Sequence, residues 1–127
     1  MSTKRDRGQT LVEFALIVPI FLLIVIGLFD VGRGVFAYNT IANSARAAAR
    51  VAIVNQDPIA VRSEAKQLGV GLGLQDADIT LDDCSEFDCV YGVTVTYDFQ
   101  PATPLIGNVF NPTLSSTAQM HVENVNP

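Results

Sequence analysis

Few side chains in this sequence have the chemistry that catalysis or metal binding requires. The chain contains two cysteines, Cys84 and Cys89, and one histidine, His121. A zinc site built from Cys and His alone needs four ligands, so these residues are too few to close one. Ser115 and Ser116 lie near His121 in sequence, but no nucleophile-elbow or metalloprotease motif is present. We therefore expect no catalytic residue, no cofactor and no enzymatic activity.

The two cysteines enclose four residues, and two interpretations compete for such a pair. A disulfide would close a short loop, whereas a redox centre usually has only two residues between its cysteines. The surrounding stretch is acidic, with six carboxylates at Asp76, Asp78, Asp82, Asp83, Glu86 and Asp88. The first four are candidate ligands for Ca²⁺, which takes oxygen ligands. The spacing of an EF-hand is absent, however, and a solvated acidic loop is the simpler interpretation.

One further acid lies in an apolar run. Residues 11–29 contain a single charged residue, Glu13. Such a helix would be roughly 28 Å long at about 1.5 Å per residue, close to the thickness of the hydrocarbon core of a bilayer. The sequence therefore predicts a transmembrane helix over residues 9–29. An acid within the span costs on the order of a few kcal/mol, so Glu13 either reaches the headgroups at the membrane edge or has a function.

The charges on the two sides of the span are asymmetric. Residues 1–8 carry three bases against one acid, whereas residues 57–127 carry ten acids against two bases. The positive-inside rule therefore predicts a single pass through the cytoplasmic (inner) membrane, with the N-terminus in the cytoplasm and the acidic part outside. That outer compartment is oxidising, which favours a disulfide between Cys84 and Cys89. The formal net charge of −5 argues against a nucleic-acid partner.

Three interpretations fit this N-terminus. A secretory signal peptide would have a shorter apolar region and a small-x-small cleavage site, which residues 32–34 imitate loosely. An uncleaved signal anchor fits the length equally well. The third interpretation starts from residues 8–14, GQTLVEF. This segment resembles the class III leader of type IV-like prepilins, a short basic leader that ends in Gly and is followed by Glu five residues beyond the scissile bond.

The resemblance implies a processing event and a role for the acid. A membrane-embedded prepilin peptidase would cut between Gly8 and Gln9 and leave a new α-amine on Gln9. Glu13 would then form a charge-assisted hydrogen bond with the ammonium group of a neighbouring subunit. Such a contact would set the axial register between subunits in an assembly. Phe14 and Pro19 belong to the same segment that the peptidase and the assembly would recognise.

Longer stretches are similar to the TadE/TadG-like pseudopilins of tight-adherence (Flp) pilus systems. They are residues 7–19, 39–52, 93–99, 103–105 and 118–123. His121 departs from the family, which often carries Arg there. The resemblance implies a minor pilin that acts structurally in pilus biogenesis and adhesion. Its partners would be other pilins and pseudopilins, the prepilin peptidase, the pilus assembly platform in the inner membrane, and membrane lipid. The alternative is an uncleaved, membrane-anchored binding protein with an acidic extracytoplasmic head.

The remaining pattern predicts the elements that would carry this function. Pro19 predicts a kink or local unwinding, because its nitrogen cannot donate a hydrogen bond. The helix is expected to continue to residue 54. It carries a helix-period stripe that packs either on the head or, as part of a stalk, on other subunits: Val31, Val35, Tyr38, Ala42, Ala45, Ala49 and Ala52. Arg46 and Arg50 share one face, either as a solvated surface or as inter-subunit contacts.

The second half predicts a small head. Asp57 as N-cap, Pro58 at the first helical position and Gly69 at the end predict a second helix. Alternating residues then predict strands at 79–81, 90–99 and 114–122. The expected fold class is α+β, with a long pilin-like N-terminal helix that leads to an antiparallel sheet of about three strands. The expected divisions are a leader (1–8), a transmembrane helix (9–29), its extracytoplasmic continuation (30–54) and the head (55–127).

Overall fold

A long helix and a three-stranded sheet dominate the computed structural model. The structure describes residues 3–82, 84 and 89–122, and gives only the backbone for residues 3–7 and Leu105. Helix α1 spans Thr3–Val54 and contains 52 residues. The elements that follow are α2 (Pro58–Leu68), β1 (Ile79–Asp82), β2 (Cys89–Asp98), α3 (Pro104–Gly107) and β3 (Thr113–Val122).

The apolar first part of α1 is largely uncovered by the rest of the described chain. Its most apolar 18-residue window has a mean hydropathy of 2.9, and none of that window is buried in the structure. Large side chains such as Phe14, Leu16 and Phe29 are each at least two-thirds exposed. A helix that is apolar on all sides is stable only in an apolar environment. By its length and composition, α1 is able to cross a membrane.

The second part of α1 packs against the head along a seam of small residues. Ile41, Ala45, Ala48 and Ala52 are fully buried in this seam. Their spacing of four, three and four residues keeps them on one helical face. Alanine allows the sheet to approach the helix backbone closely, and Tyr91, Val93 and Val95 of β2 fill the space on the other side.

The predicted stripe on α1 was therefore only partly correct. Its four alanines are buried, but Val31, Val35 and Tyr38 are each at least half exposed. The side chains that face the head at this end of α1 are instead Asp30 and Ala37. The prediction failed there because it followed apolar residue types, whereas a polar residue occupies the seam.

Helix α2 has the predicted limits, and local chemistry sets both of them. The Asp57 side chain accepts a hydrogen bond from the Ile59 backbone nitrogen at 3.2 Å, and Pro58 occupies the first turn. At the other end, a Cβ on Gly69 would overlap the Leu74 side chain. The chain then turns through Gly71 and Gly73, whose φ values of 84° and 63° favour glycine.

The three strands form an antiparallel sheet in the order β1-β2-β3. Val95 of β2 lies opposite Ile79 of β1 and Ser116 of β3. The predicted alternation on β2 is confirmed, because Val93 and Val95 are buried in the core. The α+β fold class is confirmed as well, with the long N-terminal helix, the second helix and the three antiparallel strands. The short helix α3 was not predicted.

Candidate functional site

Gly8 and Gln9, at the predicted cleavage position, lie on the exposed surface of α1. The helix begins at Thr3 and runs through this position without interruption. A Cβ on Gly8 would meet no heavy atom within 4 Å beyond its local helix backbone. Glycine inside a helix costs about 1 kcal/mol relative to alanine. Packing within this chain therefore gives no reason for glycine at position 8.

Glu13, Phe14 and Pro19 follow on the same exposed helix surface. Among the described residues, the ion pairs join Arg33 to Asp30 and Lys66 to Asp76, so neither involves Glu13. Helix α1 continues through Pro19, and the local unwinding predicted there does not occur. The Glu13 carboxylate thus projects from an apolar surface that the head does not cover.

Arg46 and Arg50 lie beyond this segment, on the side of α1 that faces away from the head. Both side chains are exposed, as are those of Asn39 and Asn43. Arg46 Nη1 donates a hydrogen bond to Asn43 Oδ1 at 3.4 Å, one turn earlier. The guanidinium groups are therefore accessible, and their role between subunits remains a prediction.

Cys84 and Cys89 form a disulfide that joins the end of β1 to the start of β2. The S–S distance is 2.00 Å and the two Cα atoms are 5.8 Å apart. The predicted disulfide is thus present, at the end of the head where the β1–β2 connection lies. Asp83, Glu86 and Asp88 of the acidic stretch lie outside the described residues.

The described acids of that stretch have separate partners. Lys66 Nζ lies 2.8 Å from Asp76 Oδ1, and its hydrogen bond lowers the pKa of the Asp76 carboxyl. Asp78 Oδ2 accepts a hydrogen bond from the Gln75 backbone nitrogen at 2.8 Å. Asp82 lies on β1 opposite Gly92. Within the described ranges, no three residues of the His, Cys, Asp and Glu types are grouped so as to hold a metal ion.

His121 and the two nearby serines all lie on β3. His121 is exposed and opposite Val90, whereas Ser115 is exposed and opposite Thr96. They are six positions apart along the extended strand, which is roughly 20 Å. The structure therefore does not bring Ser115 within hydrogen-bond distance of the imidazole.

The best-defined polar site joins α1 to the loop that follows β2. Asp30 is 7% exposed, and its carboxylate accepts hydrogen bonds from the backbone nitrogens of Ala102 and Thr103, each at 2.8 Å. The Thr103 hydroxyl donates a third hydrogen bond to the same carboxylate. We call these three bonds the Asp30 clamp. They connect the residue that follows the apolar span to a loop more than 70 residues away in sequence.

The groups around Asp30 favour the ionised form of its carboxyl group. The Thr103 hydroxyl contributes most to lowering the pKa of the Asp30 carboxyl, followed by the Ala102 backbone nitrogen, and Arg33 contributes as well. Arg33 Nη1 lies 3.6 Å from Asp30 Oδ1. The Arg33 guanidinium also lies over the Phe99 ring, 5.6 Å from its centroid. Arg33 thus links the clamp to the end of β2.

The Asp30 clamp was not predicted from the sequence. Neither Asp30 nor Arg33 is among the predicted site residues. The available signal was the position of Asp30, an acid that directly follows the apolar span. Thr103 before Pro104 also has the sequence of a helix start, yet its side chain makes no cap hydrogen bond within α3.

One of these features, the first part of α1, lies in a segment that matches a known protein family. Residues 8–50 match the family model of TadE-like proteins. The predicted resemblance to this family is therefore confirmed over most of α1. The family indicates a membrane-anchored protein associated with components of the tight-adherence (Tad) pilus. No curated protein and no solved structure matches the chain.

Proposed function

We propose that this TadE-like chain is a minor pilin, or pseudopilin, of a tight-adherence (Flp) pilus system. A prepilin peptidase cleaves it between Gly8 and Gln9, and it then acts structurally in pilus assembly and cell adhesion. The proposed role is therefore not enzymatic. Its site is the N-terminal segment of α1, and its partners are other pilins, the peptidase and the assembly platform in the inner membrane.

The observation that carries this proposal is the position of the family match. The match begins at Gly8, the last residue of the predicted leader, and covers the apolar part of α1. Gly8 is exposed and makes no contact that requires glycine. A requirement for glycine imposed by a peptidase accounts for this residue, since packing within the chain does not.

The exposed surface of α1 supports an assembly role. The apolar part of α1 contacts lipid in the membrane, and in a filament it would contact the helices of neighbouring subunits. Glu13 lies on this surface, where a carboxylate is costly unless a cation pairs with it. Cleavage supplies such a cation, because it creates the α-amine of Gln9. The Glu13–Gln9 contact between subunits therefore becomes available only after processing.

The decisive experiment is the intact mass and N-terminal peptide of the protein from its native membrane. We expect a chain that begins at Gln9. Gly8→Val should abolish this product, because a branched side chain would stand next to the scissile bond. Gly32→Val is the matched control, since Gly32 is also an exposed α1 glycine with open space around its Cβ position.

Three results would contradict the proposal. A chain that still begins at Met1, although the peptidase is present, would indicate an uncleaved membrane-anchored binding protein. A chain that begins beyond Gly34 would indicate a secreted head released by a signal peptidase. Equal processing of the Gly8→Val and Gly32→Val variants would also contradict cleavage at this position.

A further inference from the structure

The loop between β2 and β3 exposes large apolar side chains at one end of the head. Ile106, Val109 and Phe110 are 44%, 86% and 61% exposed. We call residues 100–112, which include α3, the α3 loop. We propose that the α3 loop inserts into the outer interface of the bilayer, so that lipid covers these three side chains.

The height of the loop along α1 is the first argument. Ile106 and Phe110 line an apolar cleft of about 260 Å³ together with Gly27 and Val31 of α1. Gly27 lies two residues inside the end of the predicted span, or about 3 Å along the helix axis. A bilayer that covers the span up to Phe29 therefore reaches the level of the α3 loop.

The Asp30 clamp is the second argument, because it fixes the loop at this height. Ala102 and Thr103 donate three hydrogen bonds to a carboxylate that is one residue beyond the span. The loop cannot move away from the membrane surface without breaking them. The exposed side chains follow within seven residues of Thr103, so they remain next to the apolar part of α1.

The distribution of charge is the third argument. Residues 99–122 contain no Asp, Glu, Lys or Arg, although the chain has 13 acids and 8 bases in total. Of the described acids of the acidic stretch, Asp82 lies on β1 opposite Gly92, whereas Asp76 and Asp78 precede β1, where the Asp78 carbonyl accepts a hydrogen bond from Thr96; none of the three belongs to the α3 loop. The amides of Gln100, Asn108 and Asn111 instead line a neighbouring polar cleft. Exposed apolar side chains beside uncharged polar groups are suited to a zwitterionic membrane interface.

A single tryptophan can test this insertion, because the chain contains none. Val109→Trp and Phe110→Trp would each report on the loop. Ile59→Trp is the matched control, since Ile59 is 77% exposed and follows the end of α1 at Val54. Val54 lies about 36 Å beyond Asp30 along the helix axis. The full-length chain would be placed in phosphatidylcholine nanodiscs, one copy per disc, with and without bromine on the acyl chains.

We expect bromine to quench the loop tryptophans at least about twofold and their emission to be blue-shifted, as for side chains buried at the acyl boundary. Ile59→Trp should remain unquenched, with the emission of a water-exposed indole. Water-like, unquenched emission from both loop variants would overturn the proposal. Blue-shifted but unquenched emission would also overturn it, because protein rather than lipid would then cover the loop.

Two further variants test the role of the Asp30 clamp and separate the insertion of the α3 loop from N-terminal processing. Asp30→Ala in the Val109→Trp background should reduce the quenching, since the clamp no longer fixes the loop; unchanged quenching would contradict the role given to the clamp. Gly8→Val in the same background should leave the quenching unchanged, because Gly8 lies at the other end of the span. The insertion of the α3 loop and the cleavage after Gly8 can therefore be contradicted independently of each other.

Discussion

Replacement of Asp30 should destabilise one part of the head, the α3 loop. Asp30→Ala removes the acceptor of the Ala102 and Thr103 backbone N–H groups and of the Thr103 hydroxyl. The two Thr103 donors are buried, and buried donors left without an acceptor are costly, so the α3 loop should open more often. We expect amide hydrogen exchange at Ala102 and Thr103 to become about tenfold faster or more.

The matched control for this substitution is Asp98→Ala. Asp98 also accepts a hydrogen bond from a threonine hydroxyl, that of Thr113 at 2.8 Å, but its side chain is exposed. Water can replace that partner, so exchange at Ala102 and Thr103 should not change. Equal acceleration by both substitutions would show that burial of the Asp30 carboxylate is not what stabilises the loop.

The same carboxylate predicts a pH dependence with a definite sign. Hydrogen bonds from Thr103 and Ala102 lower the pKa of Asp30, so the clamp favours the ionised form. Its contribution is therefore complete above the unfolded-state pKa of about 3.9 and is lost as the pH falls through the lower folded-state value. The Ala102 and Thr103 amide resonances should titrate with a midpoint below about 3.9. A midpoint above it, or the same transition in Asp30→Asn, would contradict this assignment.

At the scale of elements, the register of α1 against the head can be tested with two substitutions. Ile41 is fully buried, whereas Val35, which the sequence pattern placed in the stripe, is 56% exposed. Ile41→Ala should lower the free energy of unfolding of the head by about 2–5 kcal/mol, because it leaves a cavity in the core. Val35→Ala should change it by no more than about 0.5 kcal/mol. Urea unfolding of the full-length chain in detergent would measure both free energies. A larger loss of stability for Val35→Ala than for Ile41→Ala would indicate that Val35 packs on the head, as the sequence pattern predicted.

The elements that could be predicted are those whose limits depend on neighbouring residues. Asp57, Pro58 and Gly69 determine α2 within a dozen positions, and alternation alone identified β2. The Asp30 clamp was missed because its partners lie more than 70 residues away. Helix α3 was missed because its four residues are too few to show a helical period in the sequence. Local chemistry thus predicted the elements, whereas the contacts between α1 and the α3 loop depend on tertiary structure.

At the scale of the whole molecule, α1 connects two environments. Its first part exposes apolar side chains on all sides, and its second part provides one side of the core of the head. The Asp30 clamp lies where these parts meet and links the α3 loop to the end of the span. The head is therefore joined to the apolar part of α1 both by the continuous helix and by the hydrogen bonds of the Asp30 clamp.

The charges on the two sides of the span predict how the molecule is oriented in the membrane. The basic segment before the span should stay in the cytoplasm, and the acidic head should be outside. Ser63→Cys, on the exposed surface of α2, should react with a membrane-impermeant maleimide in intact spheroplasts. Ser2→Cys should react only after permeabilisation, in cells that lack the prepilin peptidase so that residue 2 is retained.

The unsubstituted chain is the control for this labelling. Its cysteines form the Cys84–Cys89 disulfide, so it should not react in either condition. That result also depends on the orientation, because an oxidising compartment preserves the disulfide whereas the cytoplasm would reduce it. A reversed chain would therefore give two signals together: labelling of Ser2→Cys from outside, and reactive Cys84 and Cys89 after permeabilisation. Either signal would place the head in the cytoplasm, where it could not join an extracellular pilus.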